Sequence, residues 1–123
     1  MISSNDLYKI CSSNIINEYI DKVVENMEYN LELKLLESAY QKNVKDMFSI
    51  ESLITQGVEK EVEFLKNIGR FEDALALILV KLDKNEYNAA KDSKYIYVSW
   101  DKKETVPSRN LKDIKEGWIS LFL

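Results

Sequence analysis

The chain contains no histidine. Histidine is the side chain that most readily moves protons and binds metals near neutral pH. Its absence removes Ser-His-Asp triads, Cys-His pairs and His-containing zinc sites. Cysteine occurs once, at Cys11, so no internal disulfide and no thiolate cage can form within one chain. A reducing, cytoplasmic setting is the simplest expectation. Proline occurs once, and glycine three times, at Gly57, Gly69 and Gly117. Isolated glycines make no phosphate-cradling loop, and so few breakers leave little room for long structureless linkers. No acidic loop has calcium-binding spacing. No apolar run approaches the roughly 18–20 residues that cross a bilayer; the longest runs from Ala74 to Val80. The first residues, Met1-Ile2-Ser3-Ser4-Asn5-Asp6, lack the basic and apolar regions of a secretory signal. From these absences we expect no metal, no cofactor and no membrane insertion.

What is present fits one ordinary domain over residues 1–123. Apolar residues make up 46% and charged residues 31%, enough of the former for a packed core. The formal net charge is −4 and is unevenly spread. Residues 1–37 carry seven acids against three lysines, whereas residues 81–123 carry nine bases against seven acids. An acidic bulk disfavours direct nucleic-acid binding, which depends on neutralising phosphates. It suits a partner with a basic surface.

Hydrophobic spacing predicts mostly helix. Ser3 or Ser4 can cap a short first helix holding Leu7 and Ile10. Beyond Ser12-Ser13-Asn14, the residues Ile16, Ile20, Val23, Val24, Met27 and Leu31 follow three- and four-residue steps. The phase then wanders through Leu33, Leu35, Leu36, Ala39 and Tyr40, so region 14–46 is either one curved helix or two with a break near Asn30. Helical spacing resumes at Val44, Met47 and Phe48. A further helix, capped by Ser49, is expected over Ile50–Ile68 with Gly57 in its middle.

Gly69 can take the left-handed conformation that closes a helix, with Lys66 in the last turn and Glu72-Asp73 opening the next. The segment Asn67-Ile68-Gly69-Arg70-Phe71-Glu72-Asp73-Ala74-Leu75 resembles the turn between the two helices of a tetratricopeptide repeat. No second copy follows at about 34 residues, so the resemblance implies a helical hairpin and not an array. Helix 71–83 is apolar nearly all round and is expected to be the buried, central element. Tyr95-Ile96-Tyr97-Val98-Ser99-Trp100 reads as a strand. Thr105-Val106 is expected as a short return strand, Leu111 and Ile114 in a short helix, and Trp118–Leu123 as a last strand or a docked tail. The expected fold is α+β, predominantly α: a helical body around helix 71–83 with a small two- or three-stranded C-terminal sheet.

Two surfaces stand out as candidate partner-binding sites. Glu18, Asp21, Glu25, Glu28 and Glu32 fall within about 80° of one another on a single helix, forming an acidic ridge. Like charges at this spacing repel by a few tenths of a kcal/mol per pair, so the ridge costs the helix a little. It is either a surface for a basic partner or simply a solvated face. Tyr95 and Tyr97 share one face of the strand, with Ile96, Val98 and Trp100 on the other. If the aliphatic face packs on the helices, the tyrosines stay half exposed as interface anchors. Tyr8, Tyr19, Tyr29 and Tyr40 read as helix-packing residues. Lys102, Lys103, Arg109, Lys112 and Lys115 interleave with acids and read as mixed solvated surface.

No catalytic residues emerge. The carboxylates could in principle converge for hydrolysis or magnesium binding, but Glu59, Glu61 and Glu63 alternate and do not share a helical face. The expectation is therefore a non-enzymatic cytoplasmic binding protein, monomeric or a small oligomer. Its profile suits an inhibitor or immunity protein that occludes the basic active site of a toxin such as a nuclease. A structural or adaptor subunit, burying part of the Leu31–Leu36 surface in an oligomer, is the alternative. A carboxylate-dependent enzyme comes third.

Overall fold

A computed structural model describes residues 1–12 and 14–102, with residues 10–12 described by their backbone alone. Four helices and a small antiparallel sheet follow one another as α1 (Ser4–Ser12), α2 (Ile15–Tyr40), β1 (Lys45–Ser49), a short 3-10 helix (Glu51–Leu53), α3 (Glu59–Asn67), α4 (Phe71–Lys84), β2 (Asn88–Lys91) and β3 (Tyr95–Ser99). The fold is α+β and mostly helical, as the spacing predicts. The expected elements at 105–106 and 111–123, Trp118, the basic residues Lys103, Arg109, Lys112 and Lys115, and the Cys11 side chain lie outside the described residues.

Ser3 caps α1 as expected, its hydroxyl accepting the Asp6 N–H at 3.2 Å. Leu7 is nevertheless exposed. α2 is one unbroken helix of 26 residues, so the break considered near Asn30 does not occur. Asn26 and Asn30 look outward from the helix to the segment that follows β1. The Asn30 amide donates to the Leu53 carbonyl at 2.8 Å and the Asn26 amide to the Thr55 hydroxyl at 2.7 Å. Their side chains therefore brace a neighbouring loop and leave the helix ladder intact. Seven residues of α2, from Ile20 through Met27 and Leu31 to Ser38, are buried. α2 packs lengthwise on α3 and α4, and α4 in turn packs on β2.

Residues 44–48 and 50–68 depart from the helices expected there. Lys45–Ser49 is a strand, and Ser49 starts no long helix: Ile50 is the N-cap residue of the short 3-10 helix, and the Ser49 hydroxyl accepts the Ser52 N–H at 3.1 Å. Gly57 lies outside any helix with φ +111°, and α3 begins after it. The expected hairpin of α3 and α4 is present, turned by Gly69 at φ +71°.

β3 is the middle strand of an antiparallel sheet ordered β1-β3-β2. Phe48 lies opposite Ile96 and Asp46 opposite Val98 on one side, with Ala89 opposite Val98 on the other. Ile96, Val98 and Phe48 join the core formed by α2, α3 and α4, as expected for the aliphatic face. Helix α4 is the core's central helix on one side only. Phe71, Ala74, Leu75, Ile78, Leu79 and Leu82 are buried, but Leu77 and Val80 are each 42% exposed.

Candidate partner-binding site

α2 carries two stripes at once, and their superposition explains the wandering phase of its sequence. Ile20, Val23, Val24, Met27, Leu31 and Leu35 face the core. Tyr29, Leu33, Leu36 and Tyr40 follow steps of four, three and four residues and lie within about 60° of one another, on the side away from the core. Their exposures are 62%, 50%, 56% and 85%. Such a row is a candidate interaction surface. Tyr29 and Tyr40 are thus not the packing residues that sequence suggested, and Tyr8 is exposed as well. Tyr19 does pack, edge-to-face on Phe64 with centroids 5.3 Å apart.

The acidic ridge runs beside this stripe. All five of its residues lie on α2 because the helix is continuous. Glu18, Asp21, Glu25 and Glu32 are exposed, and Glu28 is partly covered. Glu28 takes an ion pair across to α4, accepting from Lys81 at 2.6 Å. That bond raises the Lys81 ammonium above its ordinary value, and the fields of Glu25 and Asp21 add to it. The next acid along the neighbouring hairpin, Glu61, is held below its ordinary value chiefly by a bond from Lys22 at 2.9 Å.

Between the C-terminal half of α2 and the end of α4 the surface sinks into a furrow. One part, of about 190 Å³, lies among Glu28, Leu31, Glu32, Ile78 and Lys81. It shares Glu32, Leu35, Asn85 and Tyr87 with a wider part of about 470 Å³, which reaches Leu36, Ala39 and Trp100. Leu31, Leu35, Leu36 and Ile78 contribute apolar lining, and Glu28, Glu32 and Glu86 stand along it with Lys81 and Lys102. Trp100 and Tyr87 are half-buried against the core while still lining this furrow.

The tyrosine pair has a different fate. Tyr97 is 2% exposed, so the expected half-exposed anchor is a buried residue. Its hydroxyl donates to the Asp92 carboxylate, which also accepts the Lys94 and Tyr95 N–H groups at 2.8 Å each. This is the organising bond of the β2–β3 turn. The bond to Asp92, together with burial, pushes the Tyr97 hydroxyl up to about 12. At Asp92 burial acts upward, but the bonds from Tyr97, Lys94 and Tyr95 outweigh it and hold the carboxyl below its ordinary value. Tyr95 is half-buried and lines a separate depression of about 630 Å³ at the N-terminal end of α4. Lys66 and Lys94 meet Glu51 and Glu72 there, so charge gives that depression no preference for anions or cations. The furrow and the Tyr95 depression are thus lined from opposite ends of α4 and share no residue.

Leu33 and Leu36 entered the sequence reading only within the Leu31–Leu36 surface of the oligomeric alternative, and Ala39, Tyr87 and Trp100 were not singled out as contact residues. The signal for the first two was the 29-33-36-40 spacing, hidden by the overlapping core stripe. No sequence signal links Tyr87 and Trp100 to α2. Among the described residues no group of acids or cysteines is placed to hold a metal ion, and no helix is long and apolar enough to cross a membrane. Compared with known proteins, the chain matches no family model, no curated protein and no solved structure.

Proposed function

We propose that this protein acts by binding another protein through the outward side of α2, and that it neutralises that partner by covering a basic surface. An immunity protein or toxin inhibitor, with a nuclease among its targets, is the specific form of this reading. The observation that carries it is the exposed row Tyr29-Leu33-Leu36-Tyr40 running beside an acidic ridge on one rigid helix. The two features have different uses. Fully burying a leucine is worth about 1.5–3 kcal/mol, and Leu33 and Leu36 are half covered already, so about 1 kcal/mol each remains to be gained. A surface ion pair adds a few tenths to about 1 kcal/mol. The apolar row therefore supplies affinity, and the acids chiefly supply encounter rate and orientation. A reducing cytoplasm is part of the same reading and is supported by the lone Cys11.

The test begins with affinity capture from the native host and mass spectrometry of what remains bound. The purified partner's activity should fall as this chain is added. Reversing Glu25 and Glu32 to Lys should slow association about tenfold at low salt and have little effect at high salt. An association rate that ignores both changes sinks the ridge. A partner with no activity to inhibit favours the second reading, a structural or adaptor subunit, which the same exposed row also supports.

A further inference from the structure

We propose that the furrow between α2 and α4 receives the apolar side of a basic amphipathic helix, one large side chain of which seats among Leu36, Ala39, Tyr87 and Trp100. This rests on the partner-binding reading above and specifies the chemistry of the partner. The α2 wall of the furrow runs from Glu28 to Ala39, about 16 Å or three helical turns. A trough of that length beside a helix suits another helix lying along it. An added strand would need a sheet edge, and the sheet's edges belong to β1 and β2. Neither strand lines the furrow.

Charge decides between a foreign helix and a second copy. Glu28, Glu32 and Glu86 line the trough beside Lys81 and Lys102, which leaves its lining net negative by one charge, and Asp21 and Glu25 continue the acidic field beyond it. Lys81 is committed to Glu28, and Lys102 lies 3.9 Å from Glu86. Two copies of this chain docked through this surface would each bring the same net negative trough and neighbouring ridge to the interface. A helix with Lys or Arg flanking an apolar stripe meets the same row with opposite sign.

The probe is a synthetic helical peptide of about 18 residues, with leucines along one side and lysines flanking them. A control peptide keeps the leucines and replaces the lysines by glutamates. Titration calorimetry and amide chemical shifts of the labelled full chain are the readouts. The lysine peptide should bind at least about tenfold more tightly than the control and should shift amides at 28–39 and 85–102. Leu36→Asp and Ala39→Glu each alter an exposed position, so the fold should survive, as circular dichroism would verify. Each adds a negative charge, yet each should weaken the lysine peptide about tenfold by spoiling the apolar seat. Equal or tighter binding to these variants overturns the furrow as the seat, while leaving the ridge reading to its own charge-reversal test. Absence of binding by either peptide, or shifts confined to residues outside the furrow, overturns it as well.

Discussion

Asp92 and Tyr97 show how one hydrogen bond can set both a local structure and a pH window. Tyr97→Phe keeps the buried ring and deletes only the hydroxyl, so it isolates that bond. A bond to a charged acceptor is worth about 1.5–3 kcal/mol, and because Asp92 is only partly covered the lower end applies. We therefore expect the variant to lose about 1–2 kcal/mol at neutral pH, measured by urea unfolding. The pH dependence follows from the two shifts. The Asp92 carboxyl sits below its ordinary value in the fold, so its contribution is present at neutral pH and is lost as pH falls through the folded value. The Tyr97 hydroxyl moves up from 10.0 to about 12, so its contribution is intact below pH 10 and fades between there and 12. Tyr97→Phe should flatten the alkaline decline. An unaltered decline would mean that other groups cause it.

Helices α2, α3 and α4 end in the same way, although only one of their sequences advertises it. In each, an N–H reaches back five residues: Asn43 to the Ser38 carbonyl at 3.2 Å, Arg70 to Leu65 at 2.8 Å and Tyr87 to Leu82 at 3.0 Å. Such a closure places the preceding residue in the left-handed region. Gly69 fills that position after α3, but Lys42 (φ 65°) and Glu86 (φ 68°) fill it after α2 and α4. A side chain there costs about 1–2 kcal/mol, against about 0.4–1 kcal/mol of extra unfolded-state entropy for glycine. Lys42→Gly should accordingly raise stability by about 0.5–1 kcal/mol and the melting midpoint by a few degrees; a lowered midpoint would count against strain at this turn. This is also why only one of the three endings was legible beforehand. Long helices with strict periodicity, such as Ile16 to Leu31 and Phe71 to Leu82, announced themselves. β1 did not, because Met47 and Phe48 are adjacent apolar residues with no alternation. Val44 three residues earlier imitates a helical step, and the strand's partner lies about fifty residues away. The outer stripe of α2 failed for a related reason: two periodic patterns on one helix read as none.

At the scale of the whole molecule, exposed leucines and excess negative charge pull in opposite directions. The row from Tyr29 to Tyr40 would favour self-association, while the ridge beside it repels its own image. We expect sedimentation equilibrium at low salt to give a monomer across a wide concentration range, because unscreened acids outweigh partial leucine burial there. A substantial dimer under those conditions would favour the oligomeric reading instead. The order β1-β3-β2 also governs how the protein is born. The strand that must lie in the middle is made last of the three, so β1 emerges from the ribosome long before it has anything to pair with. At ordinary translation speeds of about 5–20 residues per second, that wait lasts about 2–10 s. A long, greasy strand left waiting would invite aggregation; β1 has five residues, and two of them, Lys45 and Asp46, are charged. Its brevity and its two charges are what let a nascent chain carry it safely until its neighbour arrives.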